Sequence, residues 1–211
     1  MRSAVWLYFA LLSISAAVIV WIKASGNEPS ATVEFVTSAA FSMVVLTWCA
    51  TAWRQVVSPL KAAVHPGWIL AGMIAGVPTY LLAHGVVEML LMLGVDKVDY
   101  LSVLYENGYG FGWAVLLVCV QPAVFEELAF RGIIQGSLDG VLGARQSLFV
   151  TALMFGILHL SFVSLPHLFV MGLALGWLRM RTGSLLPGMA LHFCHNFFAV
   201  AQETNGGILP W

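Results

Sequence analysis

The chain alternates long apolar stretches with short polar segments. Of its 211 residues, 60% are hydrophobic and 9% are charged, whereas a soluble domain carries roughly 25% charged residues. A helix needs about 20 mainly apolar residues to cross a bilayer, so the pattern predicts an all-α, polytopic transmembrane helix bundle of about seven spans. The predicted spans are, approximately, Val5–Ile22, Phe35–Trp53, Gly67–Leu93, Phe111–Phe130, Gln146–Leu160, Leu165–Leu178 and Leu185–Ala201.

The distribution of basic residues between the two sides predicts the orientation of the bundle. With seven spans, seven basic residues fall on one side and two, Lys23 and Lys97, on the other. The positive-inside rule then predicts a cytoplasmic N-terminus and a C-terminus on the outside. Between the third and fourth spans, Asp96–Gly110 mixes acidic with apolar residues, which predicts an interfacial segment on the outer face. The basic residues on the predicted cytoplasmic side are Arg2, Arg54, Lys61, Arg131, Arg145, Arg179 and Arg181.

Composition narrows the classes of partner and the number of domains. The net charge of −1 leaves no basic surface for a nucleic acid, so we expect no nucleic-acid partner. The three cysteines lie in apolar runs and are interpreted as small buried hydrophobic residues. We expect a single membrane-embedded domain, residues 1–211, with N-terminal spans in 1–110 and a core in 111–201. We also expect the protein to lie in the cytoplasmic membrane of a prokaryote, and its oligomeric state stays open. The cysteines are Cys49, Cys119 and Cys194.

Ionisable residues inside spans are costly and tend to face the interior of the bundle, so each is a functional candidate. In Glu126-Glu127-Leu-Ala-Phe-Arg131, Glu127 and Arg131 are four residues apart and can pair on one helical face. Glu126 points about 100° away from Glu127 and has no neighbouring cation in the sequence. A carboxylate of this kind could act as a general base, or both acids could simply surround the end of the helix in headgroup water.

Two further patterns lie in the fifth and seventh spans. Phe155-Gly-Ile-Leu-His159 puts a histidine late in one span, and His192-Phe-Cys-His195-Asn196 puts His192 and Asn196 on one helical face. Both of these side chains can donate hydrogen bonds to an oxyanion. They could equally join helices through hydrogen bonds, and His195 could be a packing residue.

The estimated depths of these groups suggest that they converge. At 1.5 Å per residue, Glu126 lies about 8 Å, His192 about 10 Å and Asn196 about 16 Å from the cytoplasmic ends of their helices, with His159 near 20 Å. In the third span, His84 and Glu88 are four residues apart and could form a buried pair. The small-residue pairs Gly72–Gly76 and Gly172–Gly176 are interpreted as close helix packing.

The three motifs, taken in order on successive helices, resemble those of the CPBP (CAAX protease and bacteriocin-processing, or Abi) intramembrane proteases, which include type II CAAX prenyl endopeptidases. The matching residues are EELAFR at Glu126–Arg131, FGILH at Phe155–His159 and HFCHN at His192–Asn196. The resemblance covers about Phe111–Ala201. It implies hydrolysis of a peptide bond in or beside the bilayer, in a membrane-delivered protein or peptide.

Carried over to this chain, the resemblance implies that Glu126 activates water with the help of His159. His192 and Asn196 would stabilise the oxyanion, while Glu127 and Arg131 would support the site and Arg131 could attract a substrate carboxylate. No cofactor is favoured, because His-Glu-x-x-His is absent from the sequence. Zinc stays possible, with Glu126, His159 and His192 as the three protein ligands it would need.

Two other functional classes fit the same polar residues. A non-enzymatic membrane protein, such as an immunity or scaffold protein, would keep them for helix packing. A transporter would use His84, Glu88, Glu126 and His159 as a relay, although transporters often have internal repeats and this sequence shows none. No pattern in the sequence identifies the substrate or shows whether it is prenylated.

Overall fold

The computed structural model describes residues 2–26, 30–94 and 100–204, and every regular element in these ranges is a helix. The all-α prediction is therefore confirmed for the described chain. We number the helices in chain order and treat the continuous helix Phe111–Leu142 as one element. They are α1 (Arg2–Ser25), α2 (Ala31–Thr51), α3 (Trp53–Lys61), α4 (Pro66–Met92), α5 (Tyr100–Glu106), α6 (Phe111–Leu142), α7 (Ala144–Leu158), α8 (Leu165–Thr182) and α9 (Leu186–Thr204).

All seven predicted spans coincide with helices, but the helices differ in how well they suit a crossing. Among the described residues, α1, α2, α4 and α6 are long and apolar enough to cross a membrane. Helix α7 has 15 residues, about 22 Å, and is shorter than the hydrocarbon core. The chain is thus an integral membrane protein with four candidate spans, and the count of seven stays a prediction.

Part of the predicted orientation rests on residues outside the described ranges. Lys97 and the first part of the predicted interfacial segment, residues 96–99, lie there. The described remainder of that segment contains the short helix α5. The side of the membrane on which each loop lies stays a prediction.

Helix α6 contains two π-helical stretches, Val115–Val120 and Leu128–Ile134, with Gln121–Glu127 in ordinary α geometry between them. Every residue of the second stretch is buried, and these residues join the main core with side chains from α1, α2, α8 and α9. π-Helical turns are rare and often lie at functional sites. This buried part of α6 begins directly after Glu126 and Glu127.

Glycines allow α4 to lie against the backbone of α9. A Cβ atom at Gly72 would come 2.2 Å from the carbonyl oxygen of Pro187, and one at Gly76 would come 2.7 Å from the Cβ of Cys194. No such spacing is possible between real atoms, so a side chain at either position would push the helices apart. The interpretation of Gly72–Gly76 as close packing is confirmed.

Replacing Gly72 by alanine is expected to lower the melting temperature of the detergent-solubilised protein by several degrees, because overpacking costs about 1–3 kcal/mol. The matched control is Gly85→Ala, since a Cβ atom there would have no neighbour within 4 Å and alanine favours a helix more than glycine does. Equal melting temperatures for the two variants would contradict the contact between α4 and α9.

Helices α7 and α8 form a hairpin that is also packed through small residues. A Cβ atom at Gly156 would come 2.7 Å from the Cδ1 of Leu165, and one at Gly172 would come 2.9 Å from the Cα of Ala152. The second contact confirms that Gly172 is a packing residue. The hairpin turn follows α7 directly, and Leu160 in it has a left-handed backbone with φ of 51°.

Candidate active site

Glu127 and Arg131 form an ion pair inside the protein. They occupy the end of the α segment and the following π-helical stretch of α6, and their side chains are 0% and 1% exposed. The Nη1 of Arg131 donates to the Oε1 of Glu127 at 3.0 Å. The predicted pairing is present, and the pair is buried in the bundle.

The guanidinium of Arg131 has partners on other helices as well. Its Nη2 donates to the carbonyl oxygen of Gly172 on α8 at 3.2 Å, and its Cζ lies 4.5 Å from the ring centre of Phe155 on α7. One turn later, the Nε2 of Gln135 donates to the carbonyl of Gly176. Arg131 therefore connects α6, α7 and α8, and at 1% exposure it has no surface for a substrate carboxylate.

His192 lies between the two adjacent carboxylates. Its Nδ1 is 3.1 Å from the Oε1 of Glu127, and its Nε2 is 3.9 Å from the Oε2 of Glu126. Because an ionised carboxylate only accepts hydrogen bonds, Nδ1 carries a proton and donates it to Glu127. The Nε2 atom of His192 therefore faces Glu126, and α9 is joined to α6 at this point.

Glu126 differs from its neighbour in exposure and in partners. Its side chain is 15% exposed, against 0% for Glu127, and its Oε2 has no hydrogen-bond partner although the atom itself is buried. The predicted divergence of the two carboxylates is present in their contacts: the Oε1 of Glu127 contacts both Arg131 and His192, whereas Glu126 lies 3.9 Å from His192. The Oε2 of Glu127 is also buried without a hydrogen-bond partner.

Phe155 packs against both imidazoles of the motif helices. Its ring centre is 5.2 Å from that of His159 and 6.0 Å from that of His192. His159 follows the last residue of α7 and is exposed, so it lies at the end of a short helix; its depth in the membrane stays a prediction. Its Nδ1 is 3.0 Å from the carbonyl oxygen of Phe155, which can only accept, so the proton of the neutral ring is on Nδ1 and Nε2 is free to accept one.

Asn196 is bound to the backbone of α6. Its Nδ2 donates to the carbonyl oxygen of Val118 at 2.7 Å. Val118 lies in the first π-helical stretch of α6. The amide of Asn196 therefore joins α9 to the backbone of this stretch.

Glu126 and His192 are the predicted catalytic side chains that the structure brings closest together. Asn196 donates a hydrogen bond to the Val118 carbonyl. The rings of His159 and His192 both contact the ring of Phe155. His195 points to a different neighbour, because its Nδ1 is 3.1 Å from the Oγ1 of Thr79 on α4. It therefore joins α9 to α4.

The His84–Glu88 pair lies nearer the surface than expected. Its Nδ1–Oε1 distance is 3.9 Å, and the two side chains are 19% and 47% exposed. The prediction of a buried pair was wrong. The i,i+4 spacing sets two side chains on one helical face but does not determine what covers that face.

Sequence reasoning missed four features of the site: the aromatic contact of Phe155, the carbonyl of Val118, and the carbonyls of Gly172 and Gly176 on α8. Phe155 carried a usable signal, since it lies four residues before His159 and therefore on the same helical face. Backbone carbonyls carry no signal of their own in a sequence.

The residues considered for zinc do not form a metal site in this arrangement. Within residues 2–26, 30–94 and 100–204, no three His, Cys, Asp or Glu side chains lie close enough together to hold a metal ion. Glu126 and His192 approach each other, and the ring of Phe155 contacts both His159 and His192.

Comparison with known protein families identifies the part of the chain that carries this site. Residues 109–198 match the family model of Type II CAAX prenyl endopeptidase Rce1-like proteins. The resemblance seen in the three motifs is thereby confirmed, and the match contains α6 to α8 and most of α9. No curated protein and no solved structure matches the chain.

Proposed function

Because residues 109–198 carry an Rce1-like domain, we propose that the protein is an intramembrane endopeptidase that hydrolyses a peptide bond of a membrane-delivered protein or peptide. The observation that carries the proposal is the contact of Glu126 with His192, 3.9 Å apart. A carboxylate can accept a proton from water, and a hydrogen-bond donor beside it can stabilise an oxyanion.

In the proposed reaction, Glu126 accepts a proton from water while the oxygen of that water bonds to the scissile carbonyl carbon. His159 assists through Nε2, which its bond to the Phe155 carbonyl leaves free to accept. The carbonyl oxygen becomes an oxyanion that receives N–H groups from His192 and Asn196. The C–N bond then breaks, and Glu126 passes the proton to the leaving amine.

The bond to Glu127 supports the donor role of His192. Because Nδ1 donates to Glu127, the ring is held with Nε2 towards Glu126, and Nε2 can donate a hydrogen bond when both ring nitrogens carry a proton. Glu127 thus orients His192, while Arg131 holds Glu127.

We further propose that the chain lies in the cytoplasmic membrane of a prokaryote with its N-terminus inside and its C-terminus outside. The distribution of Lys and Arg supports this orientation. It puts Glu126 about 8 Å from the cytoplasmic end of its predicted span, within reach of a substrate delivered from the cytoplasmic side.

The test compares membrane proteomes of cells that make either the wild-type protein or the Glu126→Gln variant, by mass spectrometry of terminal peptides. We expect one or more new termini in wild-type membranes that are absent with Glu126→Gln. They should persist with Glu88→Gln, which makes the same change at a half-exposed residue of α4. A chelator is expected to leave the cleavage unchanged, since no three His, Cys, Asp or Glu side chains among the described residues are placed to hold a metal ion.

The outcomes separate this proposal from the alternatives. Identical termini in all three samples, with equal amounts of protein in the membrane, would exclude Glu126 as the base. Identical termini combined with reduced accumulation of the Glu126→Gln protein would favour a non-enzymatic scaffold.

A further inference from the structure

The hairpin of α7 and α8 is short and carries no charge between its two ends. The 33 residues between Arg145 and Arg179 contain no Asp, Glu, Lys or Arg. Two complete crossings need about 20 residues each and a turn between them, so this segment is too short to reach the far face of an ordinary bilayer and return. Arg145 lies at the start of α7 and Arg179 in the last turn of α8, so the charged ends of the hairpin mark one membrane surface.

Contacts with neighbouring helices give the level at which the hairpin turns. Helices α7 and α9 both run antiparallel to α8, and the ring centre of Phe155 on α7 lies 6.0 Å from that of His192 on α9. Beyond this level, α7 continues for three residues to Leu158, whereas α9 continues for 12 residues to Thr204. At 1.5 Å per residue, the hairpin therefore ends about 13 Å before α9 does.

The turn between the two helices, residues 160–164, presents apolar side chains. Phe162 is 91% exposed, and Leu160 and Val163 are 42% and 39% exposed. The two serines of the turn are bonded to each other, because the Oγ of Ser161 donates to the Oγ of Ser164 at 2.8 Å. Exposed apolar side chains grouped at one point mark an interaction surface, and lipid is the surrounding medium for a turn that ends short of its neighbouring helices.

The backbone of the turn restricts how lipid can cover it. Irregular backbone exposed to the hydrocarbon core loses the water that its N–H and C=O groups need. A bilayer instead adapts to a short apolar segment by becoming locally thinner, at a modest cost in free energy. The boundary between lipid and water then lies at the turn, where the apolar side chains contact acyl chains and the backbone keeps access to water.

We propose that the turn of the α7–α8 hairpin binds the lipid leaflet opposite Arg145, with Phe162 as its anchor, and that the bilayer is thinner there than around α1 and α9. His159 lies directly before the turn, so the thinning brings interfacial water to this histidine. The inference follows from the lengths and contacts of the helices and does not rest on the proposed endopeptidase activity.

Spin labels on the protein in lipid nanodiscs test the depth of the turn without any assay of activity. The three native cysteines are replaced by alanine, and one new cysteine is introduced and labelled in each variant. Phe162→Cys reports on the turn, Ser25→Cys on the exposed end of α1, and Arg145→Cys on the other end of the hairpin. We expect the Phe162→Cys label to collide mainly with oxygen, which concentrates among acyl chains, and the other two labels to collide mainly with a water-soluble nickel complex.

The length of the acyl chains separates a lipid-covered turn from one in bulk water. Long erucoyl chains should reduce the access of the nickel complex to the Phe162→Cys label relative to short myristoleoyl chains, because a thicker bilayer covers the turn. The Ser25→Cys label should stay accessible in both lipids. Val163→Cys provides the same reading if the labelled Phe162→Cys protein does not fold.

Two results would overturn the inference. Equal access of the nickel complex to the labels of Phe162→Cys and Ser25→Cys in both lipids would show that the turn lies in bulk water. Strong spin–spin broadening of the Phe162→Cys label would show that a second copy of the chain, and not lipid, covers the turn.

Discussion

Purified protein carrying Glu126→Gln is expected to cleave its substrate about 10³-fold more slowly than wild type while unfolding at the same temperature. Loss of a general base costs about 10²–10⁴-fold in rate. Glutamine preserves the size of the side chain but cannot accept the proton from water. Stability should not change, because the Oε2 of Glu126 has no hydrogen bond to lose and the side chain is partly exposed.

Single-turnover rates and thermal unfolding in detergent measure both parts of this expectation. Glu88→Gln is the control for loss of one carboxylate from a membrane helix, and it should match wild type in both measurements. A rate within tenfold of wild type for Glu126→Gln would show that another group activates the water. A large drop in melting temperature would show that Glu126 is structural in the way that Glu127 is.

Glu126 and Glu127 show how much of the site the sequence predicts. Adjacent residues on a helix point about 100° apart, so it was predictable that Glu127 pairs with Arg131 and that Glu126 does not. The contact of Glu126 with His192 was not predictable. Contact with His192 depends on how α9 lies against α6, which is set by packing between residues distant in sequence.

His159 shows that hydropathy does not locate the end of a helix. The apolar run continues through His159 to Leu160, so hydropathy places the histidine inside the predicted span. The chain turns there instead, with Leu160 in a left-handed conformation and α8 starting a few residues later. Hydropathy measures how apolar a stretch of sequence is, and it does not show where the backbone turns.

Asn196 shows a second limit of prediction from sequence, because its hydrogen-bond partner is a backbone group and not a side chain. Its spacing from His192 was correctly interpreted as one helical face, since both lie on α9. Its observed acceptor is a backbone carbonyl, and every residue of α6 has one. Only the register of α9 against α6 singles out Val118.

Replacing Arg131 by methionine should be the most destabilising single change in the site. It would leave the carboxylate of Glu127, which is 0% exposed, buried without its guanidinium. Breaking a buried pair in this way costs about 3–5 kcal/mol. The lost bond to the Gly172 carbonyl and the lost contact with Phe155 add to this cost.

The double variant Glu127→Gln/Arg131→Met separates the unpaired charge from the lost packing. Glutamine removes the charge yet keeps an oxygen that can accept the Nδ1–H of His192, and replacing a whole buried pair by uncharged groups is often close to neutral. We therefore expect the double variant to be more stable than Arg131→Met by about 2 kcal/mol or more, measured by denaturant unfolding in detergent. Arg145→Met, at an exposed arginine of α7, should resemble wild type. A single variant as stable as the double one would mean that Glu127 does not carry a buried charge, and Glu127 could then not orient His192 as an ion.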